Sequence, residues 1–373
     1  MNLHDLPTPA LILDRQRLRA NAADMLARAK KLGVNLRPHC KTAKSADVAK
    51  LATEGAFGGI TVSTLREADY FLGRGFTDIV YAVGIVPNKL DIVARLQERG
   101  ADIKIVTDNV PMAEAVARHG APFRALIEID TGDGRGGVPA DGKDLPEIAR
   151  ALTATNTVTL MGVLTHAGQS YDERDPKLMA EVAERERAGA VAAAKRVRDL
   201  GFEAPIVSVG STPTATFARD LTGVTEMRPG VYVFYDLYQA GIGVCDRDDI
   251  ALSVLASVIG HRKQDNIVLI DAGALALSKD RSTEKLGKGD CAFGLVCDAD
   301  TAKPIPGLKV IGVSQEHGRI SSDKPLPFDK FPIGGQVRVL PNHACITAAA
   351  YDTYTVVDGG TDVVARWDRC NGW

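Results

Sequence analysis

The feature that most constrains this chain is an alternation, from residue 16 to about 235, of short β-branched runs with stretches of helical periodicity. Repeated strand and helix units of that kind build a parallel sheet covered by helices. Strands are expected at 34–38, 59–63, 78–83, 102–107, 124–130, 160–165, 206–209 and 223–227, with helices such as 15–31, 65–71, 89–97, 112–118 and 177–200 between them. Eight such units in roughly two hundred residues is the arithmetic of a TIM barrel. A doubly wound open sheet is the alternative, but it usually has fewer strands, and the second half gives no sign of a reversed strand order. Beyond about residue 245 the helical periodicity stops. Runs at 251–260, 267–271, 293–296, 308–313, 336–340, 354–357 and 363–367 read as strands joined by Gly, Asp and Pro turns. The expected fold class is α/β: a TIM (β/α)8 barrel over 15–240, with a second all-β domain made of 1–14 plus 241–373.

A chain of 373 residues is comfortable for one large and one smaller domain, and 45% hydrophobic with 25% charged residues is an ordinary globular mix. The net charge of -2 argues against nucleic acid as the main partner, because no excess of cations exists to neutralise phosphates. No apolar run approaches membrane-spanning length, and the segment Met1–Pro7 lacks the basic and apolar regions of a secretory signal. A cytoplasmic protein with no membrane partner is therefore expected. The six cysteines (40, 245, 291, 297, 345 and 370) are scattered, which fits mostly reduced and buried thiols.

In a TIM barrel the working residues project from the C-terminal ends of the strands. The suggestive clusters fall there. Lys41 follows the first strand in the segment Leu36–Lys44, where Arg37, His39 and Lys44 are candidates to free its amine by their charge, as a Schiff-base lysine requires. The bland alternative is a solvated basic turn. After the fifth strand comes Asp130–Gly137, which formally matches GxGxxG, but no helix opens directly after it and the unit is the fifth, so a dinucleotide site is rejected. It reads better as a tight loop delivering Arg135 to the barrel mouth, where a guanidinium can hold a phenolate or carboxylate. His166–Tyr171 follows the sixth strand, Gly210–Pro213 the seventh and Arg228–Tyr232 the eighth. Gly210, Ser211 and Thr212 with Gly230, Val231 and Tyr232 lie where barrels commonly bind phosphate, although Ser211 or Thr212 also suits an ordinary helix cap. In the β domain, His343 and Cys345 stand two apart on a turn and suit Zn²⁺, against the commoner reading of a packed histidine beside a buried cysteine. His317, in a second polar turn, reads as a buried, hydrogen-bonded histidine.

Taken together, the lysine after the first strand, the DTGxGR-type loop and the C-terminal β domain resemble the fold type III pyridoxal-phosphate enzymes, the alanine racemase fold. Within it, RPHxKT, THAGxSY, VGSTPT, RPGVYVFYD and PNHAC resemble the D-serine dehydratase branch over essentially the whole chain. The resemblance implies that Lys41 carries pyridoxal 5'-phosphate through its amine and that Arg135 contacts the ring phenolate oxygen. It implies that Gly210, Ser211, Thr212, Gly230, Val231 and Tyr232 surround the phosphate, that Tyr171 lies near cofactor and substrate, and that His343 and Cys345 bind Zn²⁺ or another divalent metal. The implied reaction is elimination of water from a D-3-hydroxy amino acid, giving a 2-oxo acid and ammonia, by a homodimer. Two departures stand out. Ala43 replaces a histidine that many relatives carry two residues after the lysine, and Cys345 stands where related D-threonine aldolases have aspartate. The alternatives are a retro-aldol cleavage to glycine and an aldehyde, a racemase with Tyr171 as second base, and a non-enzymatic pyridoxal-phosphate carrier.

Overall fold

The computed structural model describes residues 1–373, which divide into two compact units, residues 23–230 with 372–373 and residues 1–22 with 231–371. In chain order the strands are β1 (Ala10–Asp14), β2 (Asn35–Leu36), β3 (Ile60–Val62), β4 (Asp78–Gly84), β5 (Asp102–Thr107), β6 (Arg124–Asp130), β7 (Val138–Pro139), β8 (Thr159–Thr165), β9 (Ile206–Val209) and β10 (Glu226–Met227). The helices through this region are α1 (Arg15–Lys31), α2 (Ala46–Ala52), α3 (Leu65–Leu72), α4 (Pro87–Glu98), α5 (Val110–His119), α6 (Asp144–Leu152), α7 (Pro176–Asp199) and α8 (Thr212–Phe217). The sheet runs β2-β10-β9-β8-β6-β5-β4-β3, with β7 paired to β6. Its two ends meet where Cys40 N donates to Thr61 O at 2.8 Å and Thr61 N donates to Pro38 O at 2.9 Å. The result is the expected barrel of eight parallel strands.

Local chemistry sets the units. Asn109 Oδ1 accepts from Met112 N at 2.9 Å at the start of α5, and Gly120, at φ +84°, ends the same helix. Val80, Val106, Leu126 and Leu164 pack together from four neighbouring strands. A polar chain crosses the interior as well. Lys104 Nζ reaches Asp78 at 2.5 Å, Asp78 holds Arg37 Nη1 at 2.8 Å, Arg37 Nε donates to Glu226 at 2.8 Å, and Ser208 Oγ donates to Glu226 at 2.5 Å. Burial of Arg37 and Glu226 is tolerable only because each charge has its partner.

The second unit continues with α9 (Leu237–Gly241), β11 (Leu252–Arg262), β12 (Ile267–Ile270), α10 (Ala274–Leu277), β13 (Leu295–Asp298), β14 (Pro304–Val313), β15 (Gly318–Ser321), β16 (Gln336–Leu340), α11 (Ala344–Ala348), β17 (Thr353–Val357) and β18 (Val363–Asp368). Strands β11, β12, β15, β14, β13 and β16 pair antiparallel in that order, and β16 returns to β11, closing a small barrel. The N-terminal strand β1 extends it, antiparallel to β11 and parallel to β17. Strand β15 was not expected. It is four residues long, with exposed Arg319 between buried Gly318 and Ile320, too short a run to stand out from the polar turn before it. His317 in that turn is exposed, contrary to the buried histidine expected, because the turn projects beyond the β14–β15 pairing.

Candidate active site

At the C-terminal ends of the barrel strands the first unit gathers five basic side chains, those of Lys41, His39, His166, Arg228 and Arg135. Lys41 sits in the exposed turn after β2, and its charge reaches both His39 and His166. Arg228, just past β10, is buried and donates to Ser208 Oγ and Thr165 O, each at 2.5 Å. Burial, followed by the charge of Lys41, pushes the His166 imidazole down to about 3 and His39 well below its ordinary range. Both rings are therefore neutral near pH 7. His166 Nδ1 donates to Gly210 O at 3.1 Å, and the Tyr171 ring lies 6.5 Å from the His166 ring.

Two of the cations expected to act on Lys41 are committed elsewhere. Arg37 belongs to the barrel's interior chain, and Lys44 Nζ holds the buried Glu67 at 2.7 Å. Arg37 directly follows β2 and is buried, so its guanidinium is spent inside the barrel on Asp78 and Glu226. Arg135 lies on the loop after β6, largely exposed, with Glu128 at 3.9 Å and Asp133 at 3.8 Å. Its charge also reaches His166.

The loop after β9 is tightly fixed. Ser211 caps α8, its Oγ accepting from Thr214 N at 3.2 Å and lying 2.8 Å from Ser170 Oγ. Thr212 is fully buried and its Oγ1 has no partner within the protein. So the cap uses the Ser211 hydroxyl and leaves the Thr212 hydroxyl for something else. Gly210, at φ +126°, has no room for a Cβ, which would stand 2.8 Å from Arg228 N, and a Cβ on Gly230 would stand 3.0 Å from His39 O. Beneath this cradle, Glu186 of α7 accepts from Gly210 N at 2.8 Å and Ala167 N at 3.1 Å, tying the loops after β8 and β9 together. Glycines at close backbone approaches, an uncommitted buried hydroxyl and nearby cations fit a phosphate group. Val231 and Tyr232 follow at once in a short 3-10 turn, both buried.

The second unit carries the other cluster. His343 and Cys345 bracket the start of α11, and their side chains hydrogen-bond each other. His343 Nδ1 lies 3.0 Å from Asp280 Oδ2, and because a carboxylate only accepts, Nδ1 carries a proton, so a metal would have to take the place of the proton on Nε2. Burial opposes charge on His343, but its bonds to Asp280 and Cys345 outweigh it and raise the imidazole to about 11. Asp280 is itself oriented by Ser282 N at 2.7 Å, and these bonds outweigh burial and hold its carboxyl at about 2. Asn342, buried, accepts from Thr283 Oγ1 at 2.5 Å and donates to Ala292 O at 2.5 Å, while Asp236 Oδ2 accepts from Ala344 N at 3.0 Å. The backbone on both sides of His343 is thereby pinned. No group of three His, Cys, Asp or Glu side chains converges as a metal cage, so a metal on His343 and Cys345 would keep positions open to water or substrate.

Comparison with known proteins settles the family. The profile of the alanine racemase N-terminal domain matches residues 13–237, and that of the serine dehydratase domain matches residues 251–357. The chain is 45% identical to D-threo-3-hydroxyaspartate dehydratase of Delftia sp. over 99% of its length and 98% of the relative's. The chain belongs to the D-serine dehydratase branch of the alanine racemase fold. It is also 32% identical to D-serine dehydratase of Dictyostelium discoideum, covering 100% of this chain and 98% of that one. Among solved structures, a cysteine-to-alanine mutant of D-threo-3-hydroxyaspartate dehydratase in a metal-free form superposes with a TM-score of 0.95 at 43% identity, covering both chains fully.

For this dehydratase-family chain, three site groups escaped the sequence reading as individuals: Arg228, Glu186 and Asp280. Glu186 had a signal, since it interrupts the buried face of α7 formed by Ala183, Ala190, Ala193 and Val197. Asp280 had none, because its partner is 63 residues away.

The neutral histidines give a testable acid response. His166 takes up its proton at about 6.5 when unfolded but only at about 3 when folded. The unfolded state therefore binds more protons between those values, and stability falls as pH drops from 6.5 toward 3. Urea midpoints from pH 7 to 4 should fall less steeply in His166→Asn than in the parent protein; parallel slopes would show that His166 is not the group responsible.

Proposed function

We propose that this chain is a pyridoxal-phosphate and zinc dependent dehydratase that converts a D-3-hydroxy amino acid, D-threo-3-hydroxyaspartate or D-serine, to a 2-oxo acid and ammonia. The observation that carries this reading is the 45% identity to D-threo-3-hydroxyaspartate dehydratase across both units. The barrel-mouth lysine, the phosphate-fitting cradle and the His343–Cys345 pair support it. When bound, pyridoxal phosphate supplies an electron sink for a carbanion at Cα, and the divalent metal supplies a Lewis acid toward the β-hydroxyl.

The chain's own residues do the rest. Lys41 would hold the cofactor through its amine and would be the base placed to take the proton from Cα. Thr212 Oγ1 and the backbone at Gly210, Ser211, Gly230, Val231 and Tyr232 hold the phosphate, and Arg135 holds the ring's phenolate oxygen. Tyr171 lines the site beside His166. Since burial leaves His39 and His166 neutral, positive charge at the mouth comes from Lys41, Arg135 and Arg228, which suits a phosphate and a substrate carboxylate together. His343 Nε2 and Cys345 Sγ hold the metal, with Asp280 fixing the imidazole. The net reaction moves one proton from Cα, expels the β-hydroxyl, and returns water in the hydrolysis that frees ammonia.

We also read the protein as a cytoplasmic homodimer acting on a small D-amino acid, with neither nucleic acid nor membrane as partner. The net charge of -2 supports the absence of a nucleic-acid partner, no helix is long and apolar enough to cross a membrane, and the homodimer rests on the family resemblance.

The deciding experiment assays ammonia, 2-oxo acid and glycine from a panel of D- and L-3-hydroxy amino acids, with and without chelator. Chelator-sensitive ammonia from D-substrates alone is expected. Glycine with an aldehyde would move the protein to the aldolases, and no turnover would leave a cofactor carrier. A narrower prediction concerns Asp280→Ala, which frees the imidazole to rotate. Metal affinity, measured by competition with a chromophoric chelator, should fall by about 10–100-fold; an unchanged affinity would remove Asp280 from the site.

A further inference from the structure

Helix α7 buries a carboxyl group that the reaction proposed above does not use. Glu186 is 1% exposed and shares the buried face of the helix with Ala183, Ala190, Ala193 and Val197. Another alanine would continue that stripe, whereas a carboxylate taken out of water is costly unless its oxygens are satisfied. Its donors are peptide N–H groups of two different loops. Gly210 N donates to Oε1 at 2.8 Å and Ala167 N donates to the same atom at 3.1 Å, while the Thr214 hydroxyl meets the carboxyl as well.

Both loops carry the site. Ala167 follows His166, and Gly210 opens the cradle. His166 Nδ1 joins them a second time through Gly210 O at 3.1 Å, so Gly210 is held on its N–H by Glu186 and on its C=O by His166. Gly210 needs that grip. Its φ of +126° is one that only glycine adopts readily, and it lies so close to Arg228 N that no Cβ would fit. Such a conformation persists where its surroundings over-determine it. An oxygen that takes one N–H from each loop also fixes how far apart the loops stand. Burial pushes the Glu186 carboxyl up, against the pull of its donors and of the Arg228 charge. A carboxyl C=O accepts both N–H groups whether or not the other oxygen holds a proton, so the loops draw on its geometry more than on its charge.

We propose that Glu186 is a positioning residue that sets the loops after β8 and β9 in their phosphate-holding arrangement before the cofactor arrives, and so secures the preference for phosphorylated over phosphate-free pyridoxal. It acts through Gly210 and Ala167, not by contact with the cofactor. This rests on the reading of the cradle as the cofactor's phosphate site.

The full chain, stripped of cofactor, is titrated with pyridoxal phosphate and with pyridoxal, and binding is followed by quenching of protein fluorescence. Both ligands offer Lys41 the same aldehyde, so the ratio of the two affinities reports the phosphate site. Glu186→Gln keeps an oxygen for both N–H groups and loses the charge. Glu186→Asp keeps the charge, but its shorter side chain cannot reach both loops. Glu186→Gln should hold the parent's ratio within about threefold, while Glu186→Asp should lower it at least about tenfold, or about 1.4 kcal/mol, by weakening pyridoxal phosphate alone. A Glu186→Asp ratio equal to the parent's overturns the proposal, and so does a Glu186→Gln ratio as low as that of Glu186→Asp, which would make charge the working feature. A parent protein that binds the two ligands equally overturns the phosphate reading of the cradle and the proposal with it. Should Glu186→Asp fail to fold, hydrogen exchange on the parent decides. The Ala167 and Gly210 amides should exchange as slowly without cofactor as with it, and amides protected only after pyridoxal phosphate is added overturn the proposal.

Discussion

Replacing Lys41 with alanine should abolish ammonia release, lowering kcat by at least about 10⁴-fold, because in the proposed reaction one amine would both anchor the cofactor and serve as base. The same variant should lose the visible absorption of protein-bound pyridoxal phosphate while keeping its fold, since Lys41 lies in an exposed turn and carries none of the barrel's packing. Absorption and rate should fall together. A Lys41→Ala protein with both the absorption band and full activity would exclude the lysine from either role. Arginine would be no rescue, because a guanidinium stays protonated and offers no lone pair.

His343→Ala should separate the two halves of the chemistry. Cofactor absorption should persist, because the cradle around Thr212 and Gly210 lies in the other unit. Elimination should fall by roughly 10³-fold, in keeping with the several kcal/mol that a Lewis acid contributes to loss of a poor leaving group. Metal content measured on the purified variant should drop toward zero. A metal-free His343→Ala protein with parental activity would remove the metal from the reaction altogether.

Much of this architecture was legible in sequence because period carries it. The barrel's strands are short β-branched runs at regular spacing, and α1 and α7 were expected within a residue of where they lie. The motif-bearing loops stood out because strand ends in such a barrel are where chemistry collects. What stayed hidden depends on who meets whom. Arg37 looks like a neighbour of Lys41, yet it is spent on Glu226 and Asp78, carboxylates brought by two other strands. Asp280 reads as one more turn aspartate until the fold sets it against His343.

Strand β1 also imposes a timetable on synthesis. Residues 10–14 leave the ribosome first, but their sheet partners are residues 252–255 and 355–357, more than two hundred positions downstream. Barrel strands pair largely with close neighbours in the chain, and the barrel's last strand has emerged before either partner of β1 exists. The nascent protein must therefore carry an unpaired, apolar Ala10–Asp14 segment throughout that interval, a stretch in which unpaired edges invite aggregation. Holdase chaperones should engage translation-arrested chains through this N-terminal strand, and release it once residue 357 has cleared the exit tunnel.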